Sequence, residues 1–169
     1  TDCEFWRNIY RYVIFSNPDF LETLEDKSVF WNDDLDIIGT FVLKTVKRFD
    51  SEDHAGALLP KYKDEEDARF GAELFADTVR NRDLYRGYID TFVNASNWDT
   101  ERLAFMDVVI MLTAISEIIN FPKIPVNVSI NEYIELAKSY STPKSGNFIN
   151  GILGSIVVML NDEGIINKD

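Results

Sequence analysis

Histidine and cysteine are nearly absent from this 169-residue chain, which carries one of each, His54 and Cys3. A lone cysteine excludes an internal disulfide framework and suits a reducing cytosol. A single histidine leaves too few ligands for a Cys/His metal site, so no metal and no cofactor are expected. Positive charge is also scarce: 17 Lys and Arg stand against 29 Asp and Glu, a net charge of −12. Such a chain repels a phosphate backbone on average, so contact with RNA or DNA requires basic groups from outside these residues. No apolar run reaches the roughly 20 residues that a membrane helix needs. The most apolar stretch, Val108 to Ile119, has Asp107 and Glu117 bracketing its core and reads as a central core helix. Thr1 offers neither an initiator Met nor a signal-peptide pattern, so the chain is expected to be a piece of something longer. The composition, 46% hydrophobic and 27% charged, is that of an ordinary globular protein.

The apolar residues recur with helical rather than strand-like period throughout. Phe5, Ile9, Tyr12, Val13 and Phe15 mark a first helix that Asn17-Pro18 stops, because a residue before proline leaves the α region. Phe30, Ile37, Ile38, Phe41, Val42 and Val46 mark a second. Residues 50–67 are a polar connection whose acidic end, Asp64 to Asp67, suits the positive end of a following helix dipole. Phe70, Leu74, Phe75 and Val79 form the next stripe, and Leu84, Tyr88, Ile89, Phe92 and Val93 another. Asp99 or Thr100 then caps a long helix to about Asn120, with Leu103, Met106, Ile110, Ala114 and Ile118 as its stripe. After Phe121 to Pro125, Ser129 and Glu132 have capping-box spacing and open a helix presenting Ile130, Ile134 and Ala137. The last helix presents Phe148, Ile152, Ile156 and Leu160, and ends around Gly164. The expected architecture is an all-α helical bundle.

Catalytic constellations are missing. There is no HExxH, no GxxxxGK[ST], no GxSxG and no GxGxxG. Gly151 and Gly154 fall inside a predicted helix and there serve close approach of a neighbour. The only tight basic cluster, Arg80, Arg82 and Arg86, reads as a helix-end charge set facing water.

From Asn97 onward the sequence resembles the NusB family of transcription antitermination factors. The matching text is Asn97-Trp98 with Arg102-Leu103, Met106-Asp107 and Ala114 to Glu117, then Ile124-Pro125 through Val128-Ser129-Ile130-Asn131-Glu132 to Ile134-Glu135-Leu136-Ala137-Lys138, closing with Ser145, Phe148, Asn150-Gly151 and Leu153. The resemblance spans about residues 65 to 160. It implies two packed helical sub-bundles, no enzymatic activity, and an RNA-binding factor paired with the small-subunit ribosomal protein NusE. Together these grip boxA RNA of ribosomal RNA operons within the RNA polymerase antitermination complex. Family members begin with an arginine-rich helix that residues 1–50 lack, so that helix is expected upstream. Residues 1–60 then form a helical extension or insertion, and residues 61–169 the NusB-like domain.

On this footing Lys144 and Asn147 are candidate phosphate or base-edge contacts, and Phe148 a ring for stacking on a base or the start of the core stripe. Asp107 is the candidate partner contact, its carboxylate facing outward toward a basic ribosomal protein. Trp98 reads as a packed anchor at a helix start. Two alternatives stand beside this reading: the NusB-like, non-catalytic domain of a ribosomal RNA cytosine methyltransferase, or a helical protein-interaction module without RNA binding.

Overall fold

A computed structural model of the chain describes residues 2–49, 58–95 and 103–168. His54 and Trp98, and the expected caps Asp99 and Thr100, lie outside the described residues. Every regular element among those described is helical, and the chain divides into two compact units, Thr1–Lys63 and Asp64–Asp169.

The first unit holds α1 (Asp2–Ile9), which runs into a π-helical turn at Tyr10–Ile14, then α2 (Pro18–Lys27) and α3 (Trp31–Arg48). Asn17-Pro18 ends the first helix as expected and also begins α2, which helical periodicity had not marked. Proline at the first helical position gives up no amide the helix would use, and the Asn17 side chain accepts from the amides of Asp19 and Phe20. Gly39 on α3 is the close approach in this unit, since a Cβ there would overlap the Phe15 ring. Phe5, Tyr12 and Val13 of the expected stripe are exposed, while Ile9, Tyr10 and Phe15 are only half-buried.

The second unit comprises α4 (Glu65–Arg80), α5 (Arg82–Ala95), α6 (Phe105–Asn120), α7 (Val126–Tyr140) and α8 (Ser145–Asp162). Asp64 caps α4 by accepting from the Asp67 amide at 2.9 Å, and Glu65, Glu66 and Asp67 fill its first turn, as the acidic run implied. At the other end of the unit Gly164 adopts φ +69°, and the amides of Ile165 and Ile166 return to the Leu160 carbonyl. The core gathers Ile89 and Val93, Met111 and Ile115, Tyr133 and Ala137, and Ile149, Leu153 and Ile156. Its centre is α6, which packs against α4, α5, α7 and α8. A single stripe understates this helix: Met111, Leu112 and Ile115 are buried as well as Ile110, Ala114 and Ile118, whereas Met106 faces outward. A helix apolar on nearly every side has to be surrounded.

Three sequence expectations are corrected here. The inner face of α4 is Phe70 and Leu74; Phe75 is 71% exposed, and Val79 and Leu84 are also outside the core. Ser129 opens nothing, because α7 starts one turn earlier with Pro125 at its N-cap. The Pro125 carbonyl accepts from the amides of Val128 at 3.0 Å and Ser129 at 3.2 Å, so the first turn closes without a side-chain cap. Ser129 instead lies fully buried, its Oγ without a hydrogen-bond partner among the described residues. Finally, Gly151 and Gly154 face open space, and even at Gly146, which faces α7, a Cβ would make only ordinary van der Waals contact with Ile134 Cγ2 at 3.5 Å.

Two measurements check this assignment of faces. Leu74→Ala should cost about 2–4 kcal/mol of unfolding free energy, and its neighbour Phe75→Ala less than about 0.5 kcal/mol. Ser129→Ala should be neutral or stabilising by up to about 1 kcal/mol, because it removes a buried hydroxyl that has no partner. Denaturant melts of the three variants read all three values.

Candidate functional site

A surrounded helix must find a partner for each polar side chain it carries, and α6 carries five: Thr113 donates to the Val109 carbonyl of its own helix at 2.9 Å, and the other four reach neighbouring elements. At its C-terminal end Ser116 and Asn120, one turn apart, both donate to Asp77 Oδ2 on α4, each at 2.7 Å. Tyr85 of α5 donates its hydroxyl to the same oxygen at 2.7 Å, and Asn81 donates to Asp77 Oδ1 at 2.7 Å. One carboxylate thus ties α4, α5 and α6 together. Burial first, and then the bond to Asp77, push the Tyr85 phenol up to about 12. On another side of α6, Glu117 is buried and accepts from the Tyr133 hydroxyl of α7 at 2.9 Å. Burial, reinforced by the Glu117 charge, raises the Tyr133 phenol too. Lys168 donates to the carbonyls of Phe121 and Ile124, covering the negative end of α6.

The last of these four is Asp107. The expectation that its carboxylate faces outward is corrected: it is 6% exposed. It lies in the first turn of α6, where unpaired amides and the positive end of the dipole favour a negative charge. Ser141, at the end of α7, donates to Asp107 Oδ1 at 2.5 Å. Ser145, the first residue of α8, donates to Ser141 Oγ at 3.1 Å and accepts from the Thr142 amide at 3.2 Å. The Thr142 hydroxyl lies 2.8 Å from Ser145 Oγ.

That network underlies the segment bearing the other candidates. Lys144 and Asn147 are exposed, on the connection between α7 and α8 and on the first turn of α8. Phe148 is half-buried and packed against the core, so its ring both starts the inner face of α8 and reaches the rim. Lys144, Asn147 and Phe148 are therefore gathered at one helix start, and Asp107 meets that segment from beneath through Ser141. Asp77 and Ser141 escaped the sequence reading, and Ser145 figured there only in the family-like text, without a site role. The pairs Asp77/Asn81 and Ser116/Asn120, each four residues apart, were the available signal for the first.

Beside the start of α6 lies a cleft of about 820 Å³, lined by Arg82, Arg86, Leu103, Phe105, Val109 and Leu112. Phe105 is 79% exposed on its edge. Arg82 pairs with Asp83 and Arg86 with Asp90, in keeping with a charge set at a helix end. Among the described residues no group of His, Cys, Asp and Glu is placed to hold a metal ion, and no helix is long and apolar enough to cross a membrane.

The family model for NusB matches residues 34–157. The transcription antitermination protein NusB of Salinibacter ruber is 36% identical over 115 residues, covering 68% of this chain and 71% of that protein. That of Acetivibrio thermocellus is 32% identical over 127 residues, 73% of this chain and 86% of the relative. That of Chloroherpeton thalassium is 43% identical over 82 residues, and there the match spans only 39% of the relative's length. Among solved structures, NusB of T. maritima shares the fold, with a TM-score of 0.51 and 24% identity over 90% of each chain.

The two raised tyrosines generate a pH prediction. A phenol whose folded pKa exceeds its unfolded value of 10.0 binds its proton more tightly when folded. Its stabilising contribution is intact below pH 10 and is lost as pH rises through about 12. Unfolding free energy should therefore fall over that interval. Tyr85→Phe should be less stable at pH 8 and show a shallower decline; an equal decline in both proteins would contradict the assignment.

Proposed function

The chain belongs to the NusB family, and we propose that it acts as a non-enzymatic transcription antitermination factor that binds boxA RNA of ribosomal RNA operons together with NusE. Its relatives are transcription antitermination proteins. The observation that carries the finer reading is the gathering of Lys144, Asn147 and Phe148 at the start of α8. A helix N-terminus favours phosphate, a lysine adds a mobile positive charge, and an aromatic edge offers a face to an unstacked base. The cleft beside Phe105 and Val109 is the surface for the partner protein, with apolar area at its centre and paired charges at its edge. Asp107, buried against Ser141, is not an exposed charge on that surface. Residues 1–60 act as an extension to the RNA-binding domain at 61–169, and the basic groups that RNA needs come from NusE.

The net charge of −12 makes this reading testable. Titration of fluorescent boxA-like RNA should show weak binding to the 169-residue chain alone, and tight, steeply salt-dependent binding once NusE is added. In that complex Lys144→Ala should reduce the salt slope by about 1, and Phe148→Ala should cost about 1–3 kcal/mol of RNA affinity. Tight binding by the isolated chain, or a complex indifferent to both substitutions, would place the RNA surface elsewhere.

A further inference from the structure

We propose that Asp107 is a positioning residue for the RNA-reading segment, and that it works through a directed chain of hydroxyl groups. The inference rests on the RNA reading of Lys144, Asn147 and Phe148 given above. The direction follows from counting protons. Each hydroxyl has one hydrogen to give. Ser141 gives its hydrogen to Asp107 Oδ1, and Ser145 gives its own to Ser141 Oγ. The Thr142 hydroxyl, 2.8 Å from Ser145 Oγ, is then the donor of that pair, because the hydrogen of Ser145 is committed. The Thr142 amide donates to Ser145 Oγ as well, so both lone pairs of that oxygen are used. Every hydrogen in the chain points toward the carboxylate, an acceptor at its terminus.

Sequence explains why the chain needs that terminus. Thr142 and Lys144 flank Pro143, which has no amide to donate, so the connection between α7 and α8 is short of backbone donors to fix itself. The Ser145 amide returns to the Thr142 carbonyl at 2.9 Å and the Phe148 amide to the Lys144 carbonyl at 3.3 Å, closing the first turn of α8. Ser145 is 1% exposed, so its hydroxyl has no water to fall back on if Ser141 turns away. Without an acceptor at position 107 the chain loses its polarity, since two serines and a threonine can then order their hydrogens either way. The segment carrying Lys144, and the start of the helix carrying Asn147 and Phe148, would sample more than one arrangement. RNA would have to select one of them, which lowers affinity in proportion.

The test uses the full chain with NusE and single-stranded boxA-like RNA, and reads two quantities: amide exchange at Thr142 and RNA affinity. Asp107→Ala and Ser141→Ala should each speed exchange at Thr142 and weaken RNA binding, both by about tenfold. Asp107→Asn keeps an acceptor oxygen and should fall between Asp107→Ala and the parent. Ile89→Val, a core truncation on α5 away from this segment, should lower the melting temperature and leave RNA affinity unchanged, which separates positioning from general destabilisation. Should Asp107→Ala fail to fold, Ser141→Ala carries the same prediction from the half-buried end of α7. Unchanged Thr142 exchange in Ser141→Ala overturns the hydroxyl chain. Faster exchange with unchanged RNA affinity, while Lys144→Ala weakens RNA binding, overturns the positioning role. Indifference of RNA affinity to Lys144→Ala as well as to the Asp107 variants refutes the RNA reading of the segment itself.

Discussion

The second unit depends on burying α6 on nearly all sides while it still carries Asp107, Ser116, Glu117 and Asn120. Apolar packing alone does not fix such a helix, because rotation about its axis exchanges one oily face for another at small cost. The polar side chains do fix it. Ser116 and Asn120 reach the Asp77 carboxylate on α4, Glu117 receives Tyr133 from α7, and Asp107 receives Ser141 from the α7–α8 connection. A half-satisfied set would be worse than an apolar core, since an unpaired buried carboxylate carries its full desolvation cost. Satisfied, the three contacts set the rotation and register of α6 against each neighbour at once.

This arrangement explains which parts of the molecule the sequence made legible. The all-helical class, the acidic start of α4, the core helix between Asp107 and Glu117 and the stop at Gly164 all come from local rules that tertiary structure reinforced. Which face of a helix points inward was less legible. Phe70, Leu74, Phe75 and Val79 fit one helical stripe, yet Asp77 rather than an apolar residue decides which side of α4 meets α6. Leu84 lost its place to Tyr85 for the same reason: the tyrosine hydroxyl reaches Asp77, and leucine has nothing to offer it. The apparent capping box at Ser129 failed because Pro125 already supplied a helix start, a choice invisible to spacing alone.

The candidate site divides along the same line. Lys144, Asn147 and Phe148 are neighbours in sequence, so their gathering at the start of α8 needed only the helix boundary to be right. Asp107 was misread because a carboxylate beside an apolar stripe resembles a surface charge. Its dependence on Ser141, thirty-four residues away, is a tertiary fact. The acidic balance of the chain gives this construction a purpose. A net charge of −12 repels a phosphate backbone over long range, so in the proposed role steering falls to the basic partner. What the domain itself provides is a well-held local geometry, and the contacts of α6 supply it.

Native-state hydrogen exchange measured residue by residue tests this account most directly. The account predicts that the central amides of α6, around Met111 to Ile118, are the slowest in the chain and open only with global unfolding. It further predicts that Asp77→Ala accelerates exchange in α4, α5 and α6 together. If α6 opened more readily than α7 and α8, or if Asp77→Ala affected α4 alone, the helix would not be the element on which the second unit is built.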